Sequence, residues 1–175
     1  AGRVLSTHKL QQSNETIQYF RYADCLYSQK ENTLLKLPSL VRVPVHNIGS
    51  KLTAVGRVGD IYMFGYENGQ LRFSDRDGHQ CENSEFILDR KEITVISAVR
   101  DDLVAVGSKG GQISFVDLSN QGSVPSIAEM LPSCGDRDPI MIEGCDSPRG
   151  IWVLYECKDC IQFIWVDLDE QETRE

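Results

Sequence analysis

The chain has 175 residues, of which 41% are hydrophobic and 25% are charged, and its formal net charge is −8. This length allows one domain with a substantial core, and the hydrophobic fraction excludes a disordered chain. No stretch is long and apolar enough to cross a membrane. The acidic balance argues against a general nucleic-acid binder, which would show a basic face. Because the chain begins at Ala1 without an initiator Met, we interpret it as a processed or excised piece of a longer protein.

Strand patterns begin near the N-terminus. Residues 3–7 predict a first strand, residues 16–22 are rich in β-forming side chains, and residues 25–38 contain a faint hairpin. Residues 40–45 then alternate with a period of two. Because Pro44 cannot donate a hydrogen bond to a ladder, we expect this strand at the outer edge of its sheet.

The clearest pattern in the chain is a hairpin that recurs. Residues 61–75 predict two strands joined by a tight glycine turn, residues 103–117 repeat this order, and residues 153–167 repeat its second half. The aspartates that end the three copies, Asp75, Asp117 and Asp167, are separated by 42 and 50 residues. Periods of about 40–50 residues that carry several strands each are typical of β-propellers.

These elements predict an all-β fold, because no stretch of twelve or more residues has apolar side chains at helical spacing. We expect a β-propeller-like stack of about four four-stranded antiparallel sheets. The predicted blades cover residues 16–46, 51–88, 92–131 and 139–168, with the strand at residues 3–7 in addition. After the hairpin turns, the side chains that share one strand face are Leu71 with Phe73, Ile113 with Phe115, and Phe163 with Trp165. In a radial stack we expect both faces of each sheet to meet a neighbouring sheet.

Two stretches resemble blades of the WD40-type β-propeller. They read FGYENGQLRFSDRDG at residues 64–78 and VGSKGGQISFVDLSNQG at residues 106–122. The chain departs from the family at the Trp-Asp pair, which is replaced by Ser74-Asp75, Val116-Asp117 and Val166-Asp167. The resemblance implies protein partners that dock on a rim of hairpin turns and inter-blade loops. The rim residues are Glu67, Asn68, Asp89, Arg90, Lys109, Asp136, Arg137, Lys158 and Asp159.

The number of blades leaves two arrangements open. WD40-like propellers generally have six to eight blades, and this chain has material for four. One arrangement is part of a larger ring, completed by self-association or by a complementary propeller half. In the other, the strand at residues 3–7 closes the ring as the outer strand that the last block lacks after Asp167. An open stack of four would expose two apolar faces and need a partner.

Cys157 and Cys160 form the one motif that suggests chemistry. Such a pair in a hairpin can supply half of a zinc site, with Cys134 and Cys145 as the other ligands. A disulfide or redox pair is a second alternative. The interpretation we favour is that two cysteines flank a hairpin turn, without metal or cofactor. We expect no catalytic residues.

The sequence therefore predicts a non-enzymatic, cytoplasmic protein–protein interaction module within a larger scaffold or regulatory protein. The alternative is a secreted or lumenal propeller domain of a receptor or enzyme, which would carry disulfides and a glycan on Asn14. A zinc-binding protein that uses Cys157 and Cys160 is the third hypothesis. Neither the partner nor the parent protein follows from the sequence.

Overall fold

The computed structural model describes residues 17–29, 31–46, 48–75, 77, 79–88, 90–119, 126–131, 137–146 and 149–168. Several predictions concern residues outside these ranges. They are the strand at residues 3–7, the glycosylation acceptor Asn14, the zinc ligand Cys134, and the rim residues Asp89 and Asp136.

The described residues form four antiparallel sheets, which follow one another in chain order. The first contains β1 (Ile17–Phe20), β2 (Cys25–Ser28), β3 (Thr33–Lys36) and β4 (Val41–Pro44). The second contains β5 (Leu52–Val58), β6 (Ile61–Tyr66), β7 (Gln70–Ser74) and β8 (Gln80–Ile87). The third contains β9 (Ile93–Ala98), β10 (Leu103–Ser108), β11 (Gln112–Asp117) and β12 (Ser126–Leu131). The fourth contains β13 (Asp138–Asp146), β14 (Arg149–Glu156) and β15 (Ile161–Asp167).

The predicted fold class is confirmed: the chain is all-β, with antiparallel sheets stacked as in a propeller. One detail differs, since the fourth sheet has three described strands where four were expected. The strand that ends at Pro44 is the outer strand of its sheet, as the proline predicted. No helix among the described residues is long and apolar enough to cross a membrane.

The turns explain where the strands end. Gly69 and Gly110 have φ angles of 81° and 82°, which residues with a Cβ rarely adopt, so the hairpins reverse tightly at these positions. The strand predicted over residues 16–22 is shorter than expected. β1 ends at Phe20, and a 3-10 turn follows at Arg21–Ala23. Asp24 ends this turn in the left-handed region at φ 49°, which aspartate tolerates better than most side chains.

Three apolar clusters fill the spaces between successive sheets. Phe64 of the second sheet packs with the first sheet, Phe73 packs between the second and third, and Phe115 packs between the third and fourth. The sheets approach closely, because a Cβ on Gly65 would lie 2.6 Å from Cγ2 of Ile93 in the next sheet. Burial of this apolar surface is the main stabilising contribution to the stack.

The first strands of the four sheets surround a cavity of about 360 Å³. Its lining includes Gln18 of β1, Thr53 of β5, Thr94 of β9 and Ile140 of β13. At this inner edge the 3-10 turn connects the first sheet to the fourth. A guanidinium nitrogen of Arg21 lies 2.5 Å from Oε1 of Glu143, and the backbone N–H of Ile142 donates to Oη of Tyr22 at 3.1 Å. The four inner strands are therefore joined into a ring.

Candidate interaction surface

The described residues of the predicted rim lie at one end of the sheets. Gln70 pairs with Ile87, so the turn at residues 67–69 lies beside the loop that leads to the third sheet. Asp138 pairs with Glu156, which places Arg137 beside the hairpin at residues 157–160. Seven of the nine rim residues are described, and they lie in the turns and loops of the second, third and fourth sheets, namely Glu67, Asn68, Arg90, Lys109, Arg137, Lys158 and Asp159.

One contact within the third sheet and one contact to the fourth sheet hold the turn at residues 109–111 in place. The backbone N–H of Lys109 donates to the carbonyl of Glu92 at 2.9 Å, and their side chains form an ion pair that raises the pKa of Lys109. The N–H of Gly110 donates to Oδ1 of Asp138 at 2.9 Å. This turn is thereby tied to the residue that precedes β9 in its own sheet and to the first residue of β13 in the fourth sheet. Charged side chains held on rigid strands in this way suit recognition of another protein.

A second surface lies on the fourth sheet, and the sequence did not predict its exposure. We call it the aromatic face; it consists of Trp152 on β14 with Ile161, Phe163 and Trp165 on β15. Trp152 pairs with Trp165 in the ladder, and their ring centroids are 5.0 Å apart. The ring centroid of Phe163 lies 6.1 Å from that of Trp152. The opposite face of β14 is buried against the third sheet.

The repeat itself shows that this exposure is unusual. Equivalent cross-strand pairs in the second, third and fourth sheets are Met63–Phe73, Ala105–Phe115 and Trp152–Trp165. In the second and third sheets these positions are buried by the next sheet, and Phe73 is only 1% exposed. In the fourth sheet Trp152 is 44% exposed and Trp165 is half-buried, and Phe163, two residues before Trp165, is 60% exposed. The described residues therefore cover these positions less completely than in the second and third sheets.

This surface of the fourth sheet lies on the side of the first sheet. Met141 and Leu154 of the fourth sheet and Tyr19 of the first all line the central cavity. Tyr19 is exposed, and so is Ile17 on the same face of β1. The two sheets meet through Arg21 and Tyr22, and apolar side chains of β1, β14 and β15 beyond this contact are exposed.

The cysteine pair lies at the edge of the rim, and the proposed set of four zinc ligands is wrong. Cys145 pairs with Gly150 at one end of the β13–β14 hairpin, whereas Cys157 follows Glu156 at the other end. The six residues of strand between these ends separate them by about 20 Å. Cys145 therefore cannot share a metal ion with Cys157 and Cys160.

One polar cluster elsewhere forms a turn after β7. Oδ1 of Asp75 accepts hydrogen bonds from the backbone N–H groups of Asp77 at 2.9 Å and His79 at 2.8 Å, and Oδ2 lies 3.2 Å from Nδ1 of His79. The hydrogen bond from the His79 backbone is the main cause of the lowered pKa of Asp75. The carboxylate thus stabilises the turn between β7 and β8.

The four stacked sheets define a β-propeller-like protein. Two solved structures are similar to it. The crystal structure of Chaetomium thermophilum Raptor matches 91% of this chain with a TM-score of 0.59 and 12% identity, and the chain spans 16% of the length of that Raptor chain. The crystal structure of the computationally designed Ika4 protein matches 95% of this chain and 99% of its own, with a TM-score of 0.50 and 17% identity.

At these identities the similarity shows the fold alone. No protein-family model and no curated protein sequence matches this chain. The propeller-like part of the predicted resemblance is thereby supported, and the WD40 repeat itself stays a prediction.

Proposed function

We propose that this chain is a non-enzymatic protein–protein interaction module within a larger scaffold or regulatory protein. The aromatic face carries the proposal. Two tryptophans and a phenylalanine on one rigid sheet are the side chains that most often anchor protein interfaces. Monomeric proteins rarely expose such a contiguous apolar patch unless it is a binding site.

The occupant we propose is an extended segment of a partner protein that adds a strand to β15. Among the described residues β15 pairs with β14, on one side, whereas each of the other three sheets continues to a fourth strand at this position. An added strand would hydrogen-bond with the backbone of β15, and alternate apolar side chains would cover Trp152 and Phe163. The partner segment should therefore alternate apolar and polar residues.

The rim supplies the polar part of the proposed interface. Lys158 and Asp159 form the turn that joins β14 to β15, so a strand added to β15 ends beside them. Charges at the edge of an interface contribute more to partner choice and association rate than to affinity. We propose that the rim residues select the partner and that the aromatic face holds it.

The proposal can be tested by selecting peptides that bind the unmodified 175-residue chain from a displayed library of random peptides. Both tryptophans of the chain lie on the aromatic face, so tryptophan fluorescence reports its occupation directly. We expect selected peptides with alternating apolar residues to shift the emission to shorter wavelength. Phe163→Ala should weaken their binding at least about tenfold, since a buried aromatic anchor contributes about 2 kcal/mol or more.

The matched control is Ile87→Ala, because Ile87 is also exposed, at 55%, but lies on the second sheet. Its binding should equal that of the unchanged chain. Peptides that bind equally to the Phe163→Ala chain would contradict the proposed site.

Two other occupants are separate outcomes of the same experiment. If residues 1–16 cover the face, deleting them will shift the emission to longer wavelength and restore peptide binding. If a second copy covers it, light scattering will show a dimer that Phe163→Ala dissociates. Either result would replace the partner segment as the occupant.

A further inference from the structure

The hairpin between β14 and β15 holds two cysteines that the interaction surface does not use. The backbone N–H of Cys157 donates to the carbonyl of Cys160 at 2.9 Å. The adjoining ladder pair is Glu156 with Ile161, so the two cysteines are the next pair and face each other across the turn. Both are present as thiols; Cys157 is half-buried and Cys160 is exposed.

Facing positions of this kind have the spacing that a disulfide needs. Hydrogen-bonded pairs in antiparallel strands have Cα atoms about 5.5 Å apart, and disulfides span Cα separations of about 4.4–6.8 Å. We propose that Cys157 and Cys160 are a site of reversible thiol–disulfide modification, with a small-molecule disulfide such as glutathione disulfide as the oxidant.

The disulfide forms in two thiol–disulfide exchange steps. The thiolate of the exposed Cys160 bonds to one sulfur of glutathione disulfide, the sulfur–sulfur bond of the oxidant breaks, and one glutathione thiolate leaves and takes up a proton. The thiolate of Cys157 then bonds to the sulfur of Cys160, and the second glutathione leaves in the same way. Two protein thiols are oxidised, and one glutathione disulfide is reduced to two glutathione molecules.

The environment of Cys157 affects the rate of the second exchange step. Desolvation, together with the hydrogen bond to Cys160, raises the pKa of the Cys157 thiol. Because the thiolate is the nucleophile, the second step should become faster as the pH rises. The bond closes a loop of only two intervening residues, Lys158 and Asp159, so it constrains the unfolded chain less than a disulfide between distant residues would. The modification should therefore restrain this part of the rim and stabilise the fold less than such a long-range disulfide.

Peptide mapping of the full chain tests the site. After incubation with glutathione disulfide and glutathione at a fixed ratio, trypsin cuts after Arg149 and Lys158, which separates the two cysteines. We expect peptides 150–158 and 159–174 to appear as one disulfide-linked pair that falls apart on reduction. The disulfide-to-dithiol ratio should be at least about tenfold higher in the folded chain than in a synthetic peptide of residues 150–168, because folding holds the thiols together.

Three variants serve as controls. Cys157→Ser should stop at a glutathione adduct on Cys160, Cys160→Ser should yield no linked pair, and Cys145→Ser should behave like the unchanged chain. Glutathione adducts on both cysteines without a linked pair, or a ratio equal to that of the peptide, would overturn the proposal. So would zinc ions, added alone, that bind stoichiometrically and protect both thiols from glutathione disulfide.

Discussion

Phe73 and Phe163 occupy nearby positions in the repeat but should contribute very differently to stability. Phe73 is 1% exposed within the cluster between the second and third sheets, so Phe73→Ala removes a fully buried ring and leaves a cavity. Such changes cost about 3–5 kcal/mol. Phe163 is 60% exposed. Its buried part is about 80 Å² of a ring of about 200 Å², so Phe163→Ala should cost about 1–2 kcal/mol.

Urea unfolding of the two variants, followed by circular dichroism, measures this difference. We expect Phe73→Ala to lower the free energy of unfolding by about 2–3 kcal/mol more than Phe163→Ala, which corresponds to roughly 5–10 °C in Tm for a domain of this size. Equal losses in the two variants would refute the reasoning, because they would show that Phe163 is as well covered in solution as Phe73.

Four further predictions concern the packing of the sheets and the titration of Cys25. Gly65→Ala should cost about 1–3 kcal/mol in urea unfolding, because its Cβ would lie 2.6 Å from Cγ2 of Ile93; an unchanged midpoint would contradict the close approach of the sheets. Burial raises the pKa of Cys25 from 9.0 to about 11, so this thiol should resist alkylation at neutral pH until urea unfolds the chain. The folded chain then keeps this proton longer than the unfolded chain, and the contribution of Cys25 to stability should fall as the pH rises from 9.0 to about 11; constant stability across that range would contradict it. Tyr22→Phe removes the acceptor of the Ile142 N–H, and should cost about 1–2 kcal/mol and speed hydrogen exchange at Ile142, whereas unchanged exchange would argue against the contact between the first and fourth sheets.

The sequence predicted the fold class because the signals for it are local. Alternating apolar residues and the glycine at position 69 identify a hairpin without any knowledge of its neighbours. The placement of rim residues at one end of the sheets also follows from hairpin order. The hydrogen bond from the N–H of Gly110 to Asp138 could not be predicted in this way, because it joins residues of two sheets and no local sequence pattern indicates it.

The exposure of the aromatic face could not be predicted from local sequence patterns. Phe163 and Trp165 have the same alternation as Leu71 and Phe73, so the pattern predicts burial for both pairs. Whether another sheet covers these side chains depends on how the first and fourth sheets meet. That arrangement depends on all four sheets together and not on any one stretch of sequence. The error about Cys145 has a similar origin, because residue spacing does not tell at which end of a strand a side chain lies.

Acrylamide quenching of tryptophan fluorescence in the monomeric chain tests the central claim most directly. Trp152 and Trp165 are the only tryptophans of the chain, and both belong to the aromatic face. Because Trp152 is 44% exposed and Trp165 is half-buried, we expect emission between that of buried and that of water-exposed indole, quenching by acrylamide, and loss of that quenching when a selected peptide is added. Emission typical of buried indole with little quenching, in a chain that light scattering shows to be monomeric, would mean that the chain covers this face itself and would contradict the account.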